Sequence, residues 1–454
     1  MEKKKYSEIE VQLIADNLIG KTFGEINNYE VKTYKKGSFG HIIETDVYEY
    51  EINPFSEPDF LDAGIELKVT PYKVNKNKTL SAKERLVLNI INYMDEYKND
   101  FYSSHFYYKN KKIQIVWYLN EEGKQKNDFK ITHQLLFTFP EEDLNIIIDD
   151  WNIIINKIKD GKAHELSEAD TMYLGACTKG ANSKSTRKQP FSPIEAMQRA
   201  FCLKISYMTQ LVRKHIGGYE DVEKILDNAN ISFTQYVENI IKQYEGKTQK
   251  ELMAFFNINS TAKSVNSMII SRMFGINSKL GQTDEFLKAN IVPRTIRVQK
   301  NGRIKESMPF PAFKYIEIIE QNWENSELKE ELETTKYMFF IFKENGDDYI
   351  FKGIKLWNMP EMIIESSVKK MWLETKNVIL KGNIVKDIVN GKRITNFPGM
   401  KNNKFCHVRP HAQNSKDTYR LPIPDKNTNA TKYTKHCFWI NNTYLEEILS
   451  DYLY

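Results

Sequence analysis

The sequence predicts a two-domain α/β protein, and three observations carry that prediction. The chain has 454 residues, more than a single hydrophobic core usually organises. Several segments recur once in the same order, the mark of a duplicated unit. A period-two strand run at Ile65–Val69 and amphipathic stretches that open helices give the chain both kinds of element. Composition fits a folded globular protein, with 12% aromatic residues to fill cores. A net charge of +5 is mild, so local clusters matter more than the total. Cys177, Cys202, Cys406 and Cys437 form no CxxC pair, which suits a reducing compartment. The opening MEKKKYSEIE lacks the apolar centre of a signal peptide, and no apolar run is long enough for a bilayer. A cytoplasmic protein without membrane association is expected.

The repeat is read from matched fragments. "IGKTFGEIN" (Ile19–Asn27) and "EGKTQKELM" (Glu245–Met253) share G-K-T-x-x-E-[IL] ahead of amphipathic runs. "KGSFGHIIE" (Lys36–Glu44) then aligns with "KSVNSMIIS" (Lys263–Ser271), and "GANSK" (Gly180–Lys184) with "AQNSK" (Ala412–Lys416). "FCLKISYM" (Phe201–Met208) pairs with "FWINNTYL" (Phe438–Leu445), and the offsets grow slowly from 226 to 237. The expected domains are 1–220 and 221–454, with the boundary in the polar stretch "GGYEDVEKILDNAN" (Gly217–Asn230). "IELKV" (Ile65–Val69) best matches "RTIRV" (Arg294–Val298), setting Thr295 against Glu66 and Arg297 against Lys68. Ser271 falls against Glu44, and Asp59 keeps an acidic counterpart in Glu285. One copy therefore holds an acid cluster that the other has largely lost. That difference predicts one catalytic domain and one binding or regulatory domain.

The cluster lies in "SEPDFLDAGIELKVT" (Ser56–Thr70). Alternation places Glu66 and Lys68 on one strand face, Ile65 and Leu67 on the other. An acid, a spacer and E-x-K on a strand suit metal-dependent phosphodiester hydrolysis. Asp59 and Glu66 would bind Mg²⁺ through carboxylate oxygens, and the metal would lower the pKa of a bound water. Lys68 would orient that water and offset transition-state charge. The spacing alone equally fits a solvated strand face carrying a weak Glu–Lys pair.

Longer stretches carry a resemblance. "KGSFGHIIE…PDFLDAGIELKVTP" resembles the active-site region of MutH, the mismatch-repair nicking endonuclease. With "KERLVLNIINY", "GKAHELSEADTMYLGACTKGANS", "QRAFCLKISYMT", "FKGIKLWNMPE", "CHVRPH" and "FWINNTYL", the chain is similar to the two-domain GATC-cutting type II restriction endonucleases of the MutH superfamily. The resemblance implies two tandem MutH-like folds, each a mixed β-sheet flanked by helices, the second binding DNA without cutting it. It implies metal and catalytic roles for Glu44, Asp59, Glu66 and Lys68. Lys109 joins them through the S-H-x-x-x-K pattern in "SHFYYK" (Ser104–Lys109). Lys36 would meet a phosphate near a helix start. In the base-reading loop, "CTKGAN" sets Lys179 at the guanine-reading position, followed by Asn182 and Lys184. "VRPHAQN" offers Arg409 and His411 for the same work in the second copy. Cys177 and Cys202 depart from the arginine and tyrosine of MutH, which puts methylation sensing in doubt.

Physical chemistry supports the loop independently, because Lys and Arg donors suit guanine O6 and N7 in the major groove. Basic runs such as Lys184, Arg187 and Lys188 offer phosphate contacts that position a duplex. Competing motifs are weak. "GKT" at Gly20–Thr22 lacks the first glycine of a Walker loop, "AHELS" lacks the second His of HExxH, and the Cys406–Cys437 ligands fit no familiar zinc spacing. The expected protein is a Mg²⁺-dependent site-specific deoxyribonuclease of a restriction–modification system, cutting 5′ of the G in GATC. Its second domain would bind another GATC as an effector. Dimerisation on DNA and a cognate methyltransferase are the expected partnerships. A strand-nicking repair enzyme and a non-catalytic DNA-binding regulator are the alternatives.

Overall fold

Both copies of G-K-T-x-x-E build the same device in the computed structural model. Thr22 accepts from the amide of Glu25, whose carboxylate returns to the Thr22 amide at 2.7 Å, a reciprocal cap on the short helix Phe23–Ile26. Thr248 and Glu251 do the same for the helix Gln249–Phe255, also at 2.7 Å. The glycines before them, at φ +94° and +83°, use left-handed backbone that a side chain would strain. Gly20 then donates to Ile131 O at 2.8 Å, and Gly246 to Phe351 O at 2.9 Å. The motif that resembles a nucleotide loop is a helix start.

The structure describes residues 4–28, 38–50, 57–179, 185–219, 222–226, 231–262, 264–390 and 392–453. Lys36, Asn182 and Lys184 lie outside them. Contacts divide the chain into two units, 1–236 with 281–290, and 237–280 with 291–454. Each is a mixed α/β body.

In the first unit, four strands run in the order Leu80–Ala82, Glu66–Val74, Ile113–Leu119, Lys130–Phe137. The central pair is parallel and both outer pairings are antiparallel. Parallel neighbours need a crossover, and this one carries the helix His105–Asn110. A second, antiparallel sheet orders Leu86–Ile90, Arg199–Leu203 and Leu174–Thr178. As alternation predicts, Ile65 and Leu67 join a core with Val11, Ile42, Tyr48 and Tyr118.

The second unit repeats this plan. Ile291–Val298 runs parallel to Lys336–Asn345, which pairs antiparallel with Asp348–Trp357. Met308–Phe313, His436–Ile440 and Cys406–Pro410 form the matching antiparallel sheet. Even the bulge recurs, between Trp117 and Tyr118 in one ladder and between Ile341 and Phe342 in the other.

Two buried charge systems organise the first unit. The long helix Glu141–Lys159 aims Asp150 at the backbone amides of Met172, Tyr173 and Leu174, at 2.6, 2.6 and 2.9 Å. Burial pushes its carboxyl up to about 6, and Lys204, buried nearby, donates to Thr171 O at 2.5 Å. Together they fix the start of the strand Leu174–Thr178. Asp143, on the same helix, holds Lys288 Nζ at 2.8 Å and the Tyr207 hydroxyl at 2.8 Å. Lys288 belongs to the helix Asp284–Ala289, so this helix packs with the first unit although the next strand belongs to the second.

Asp150→Ala would leave three buried amides without their acceptor and the buried Lys204 without its main counter-charge. We expect a loss of about 3–5 kcal/mol from the first unit, read by denaturant unfolding. A loss under about 1 kcal/mol would mean that water replaces the carboxylate.

Candidate active site

The site is built on the first residues of the strand Glu66–Val74. Glu66 faces away from Ile65 and Leu67 yet is only 2% exposed, so its carboxylate needs partners. Lys68 Nζ lies 2.5 Å from Oε1 and Lys109 Nζ 3.5 Å from Oε2. Lys109 also donates to Glu57 O at 3.0 Å. It reaches the site because the crossover helix ends just before Ile113, the residue paired with Glu66 in the parallel ladder. Ser104 starts that helix by accepting from the Tyr107 amide at 3.0 Å.

Asp59 is folded back onto the strand, where Oδ2 accepts from the Leu67 amide at 2.9 Å. The antiparallel bridge between Phe60 and Ile65 closes the turn that brings it there. Burial first, and then the Glu66 charge, push the Asp59 carboxyl up to about 7. Burial also raises Glu44, which lies in the field of His41, Lys68, Glu66 and Lys109. Glu44 belongs to a π-helical turn, Ile43–Val47, closed by Tyr48 N to Ile43 O at 3.1 Å. Burial opposes the charge on Lys68, but Glu66 and Asp59 outweigh it and raise the lysine. Glu44, Asp59, Glu66, Lys68 and Lys109 thus share one electrostatic site.

The donor set suits a hard divalent cation. Asp59 and Glu66 repel one another, and Glu66 Oε2 is buried without a hydrogen bond. Among the described residues no three His, Cys, Asp or Glu side chains gather as a metal group. Two carboxylates, with water and a substrate phosphate completing the shell, are what Mg²⁺ commonly accepts.

A second constellation lies at the end of the strand Leu174–Thr178. Lys179 follows it, exposed, its amide donating to Gln198 O at 2.9 Å. In the second unit His411 occupies the same place, its amide 2.9 Å from Lys435 O. The ladders set Cys177 opposite Ala200 and Arg409 opposite Cys437, so Arg409 stands at the Cys177 position. Its guanidinium lies 4.1 Å over the Trp439 ring. Trp439 occupies the Cys202 position, a partner the sequence reading missed although the two fragments align there without a gap.

Ladder register corrects the expected equivalences in the other sheet. Thr22 bridges Lys130 as Thr248 bridges Ile350, which makes Leu119 equivalent to Lys343 and Tyr72 to Val298. Counting back, Val292 stands at the Glu66 position and Arg294 at the Lys68 position, not Thr295 and Arg297. Glu331 takes the place of Lys109, five residues after the N-cap Ser326 as Lys109 is after Ser104. Ser271 binds its own loop, accepting from Leu280 N at 3.2 Å. Glu285 accepts from the amides of Ile225 and Leu226 at 3.1 and 3.0 Å, within the first unit. The second unit therefore lacks the acid pair. His407 and His436 are structural, bound to Asn441 Oδ1 at 2.6 Å and Thr434 O at 2.8 Å.

Comparison with known proteins places these observations in a family context. Residues 48–150 match the family described as DNA mismatch repair enzyme MutH. The chain is 36% identical over 477 aligned residues to the type II restriction enzyme Sau3AI of Staphylococcus aureus, covering 97% of each protein. It is also 29% identical over 196 residues to the DNA mismatch repair protein MutH of Shewanella woodyi, covering 40% of this chain and 79% of that protein.

The Asp59 shift has a measurable sign. Without metal, its raised value means the protonated form favours the fold below about 7, an advantage lost as pH climbs through that value. A cation needs the ionised form. The rise in melting temperature caused by Ca²⁺ should therefore be small near about pH 6 and grow toward about pH 8. Asp59→Asn should abolish it, and an undiminished Ca²⁺ response in that variant would place the metal elsewhere.

Proposed function

Because this chain belongs to the MutH superfamily of restriction endonucleases, we propose that it is a Mg²⁺-dependent type II enzyme cutting double-stranded DNA 5′ of the G in GATC. The observation that carries the chemistry is the buried Glu66 carboxylate, held between Lys68 and Lys109 and set against Asp59. Asp59 and Glu66 would hold the cation, which supplies an activated water and neutralises the scissile phosphate. Lys68 stays charged beside Glu66, fit to orient the attacking water and to meet charge developing on the phosphate oxygens. Lys109 fixes the second Glu66 oxygen and adds positive potential on the same side. Glu44, raised by burial, is suited to hold or pass a proton at the cleft edge.

Specificity falls to Lys179, whose exposed ammonium at a strand end matches the guanine acceptors, with Asn182 and Lys184 following and Lys36 on a phosphate. In the second unit Arg409, stiffened on Trp439, and His411 would read another GATC copy. That unit lacks the acid pair, so the reading gives it an effector role. One cutting site per chain implies either two chains on a palindromic target or two successive nicks. A cognate methyltransferase would protect the host's own sites. No helix among the described residues is long and apolar enough to cross a membrane, and the cytoplasm is where such an enzyme would meet incoming DNA. A strand-nicking repair role shares the chemistry, but the match along nearly the whole chain to a restriction enzyme favours unaided double-strand cutting.

Purified protein with Mg²⁺ should cut unmodified plasmid at GATC, and sequencing the fragment ends gives the position. Glu66→Ala should lose cleavage by more than about 10³-fold while binding GATC duplex in Ca²⁺. Substantial cutting by that variant would remove Glu66 from the chemistry. Lys179→Ala should lose roughly 1–3 kcal/mol of discrimination between GATC and a scrambled duplex at fixed salt. An equal loss on both would make Lys179 a backbone contact.

The effector role makes a separate demand. Plasmid with two GATC sites should be cut faster than plasmid with one, and a short uncleaved GATC duplex should rescue the slower substrate. Arg409→Ala should weaken the rescue and spare basal cutting in part. Equal rates, unresponsive to added duplex, would falsify the effector role.

A further inference from the structure

Where the second unit lacks the acid pair, it carries an arginine that no carboxylate contacts directly among the described residues. Arg294 stands at the Lys68 position and is half-buried. Among the described residues it makes no hydrogen bond and no ion pair. Glu331 lies in its field without contacting it and accepts from the Tyr337 hydroxyl at 3.2 Å. A guanidinium partly removed from water without an acceptor is costly unless an anion completes it.

Arg294 lines a cleft of about 660 Å³. The same cleft is lined by the start of the helix Val265–Met273, through Ser264, Asn266 and Ser267. Ser264 stands at the N-cap without a side-chain capping bond; the Val265 amide donates to Ala262 O at 3.0 Å, and no side chain among the described residues caps the rest of the first turn. Such a helix start attracts anions. Asn266 is 4% exposed, lines the cleft, and its Oδ1 has no hydrogen-bond partner. The amide of Asn266 could equally turn its NH₂ toward an anion, since the two orientations have the same shape. Arg297 and Lys305 add positive charge to the lining, against Glu306 and Glu344. Arg297 lies over the Tyr349 ring, and Glu344 is engaged by the Lys300 amide at 3.1 Å.

We propose that this cleft binds a backbone phosphate of double-stranded DNA directly, without a metal ion, through Arg294 and the start of the helix Val265–Met273. The site rests on the reading of the second unit as a DNA-binding copy. It adds that the former catalytic position has become a phosphate clamp. A carboxylate pair repels a phosphate unless a cation intervenes. Val292 and Arg294 in place of Glu66 and Lys68 remove the need for the cation and supply the charge themselves.

The test uses the full-length chain in EDTA, titrated calorimetrically with a short GATC duplex and with a scrambled one at several salt concentrations. The wild type should bind two equivalents of GATC duplex. Arg294→Met should weaken one class of site about 5- to 10-fold on both sequences and reduce its salt slope by about one. Arg294→Lys should restore most of the loss. Ser267→Asp, an exposed change that adds an anion at the helix start, should weaken the same class without threatening the fold. Arg409→Ala, run in parallel, marks which class belongs to the second unit by its lost discrimination. If Arg294→Met and Ser267→Asp keep wild-type affinity and slope while Arg409→Ala loses discrimination, the clamp is wrong and the DNA-binding reading stands. If one duplex binds per chain and Arg409→Ala changes nothing, the second unit does not bind GATC and the clamp fails with it.

Discussion

A carboxylate at the start of a parallel strand, buried and held by two lysines, is the constraint on which the first unit depends. Removing Glu66 from water would be prohibitive alone, and the fold answers with Lys68 from the same strand and Lys109 from the crossover helix. Only a parallel pairing delivers the second lysine. An antiparallel hairpin would have returned the chain directly, with no helix ending beside the strand's first residue. The turn from Phe60 to Ile65 then adds Asp59 from the N-terminal side. Sheet topology and site chemistry are one solution, because each element converging on Glu66 brings a charged group.

The second unit shows how little of that frame depends on the charges. It keeps the glycine-led caps, the parallel pair, the bulge and the three-stranded antiparallel sheet. What changed are side chains. Val292 packs against the unit's core where Glu66 was exposed to a second carboxylate, and Glu331 stands where Lys109 was. The segments around Cys177 and Arg409 differ in the opposite sense. Where the first unit has two small thiols, the second has an arginine stacked on tryptophan at the equivalent positions, a bulkier pair. One copy thus concentrates buried charge, the other a donor stacked on aromatic area.

Much of this was legible in the sequence, for physical reasons. Strand alternation at Ile65–Val69 is strict because one face is packed, so the pairing of Glu66 with Lys68 could be read directly. The G-K-T-x-x-E repeat was visible because a reciprocal cap needs those residue types at that spacing. The reader-loop equivalences survived because the strands on either side keep their lengths. Register in the other sheet did not. "RTIRV" attracts "IELKV" by its alternation of charged and apolar residues, but hydrogen bonds to a distant strand and a bulge set the pairing three residues earlier. Glu285 keeps the seven-residue spacing to Val292 that Asp59 has to Glu66, yet it binds Ile225 and Leu226. No local pattern reveals that its helix packs with the preceding unit.

That borrowed helix has an evolutionary consequence. Asp143 is buried and paired with Lys288, whose helix is flanked in sequence on both sides by residues of the second unit. A recombination event at the repeat boundary would separate them and strand an unpaired charge, at a cost of about 3–5 kcal/mol. Duplicated modules usually remain free to be shuffled, lost or fused elsewhere. Here the exchange of one short helix works as a ratchet. Once Lys288 and Asp143 depended on each other, the tandem could no longer revert to a single copy without a compensating change in the core.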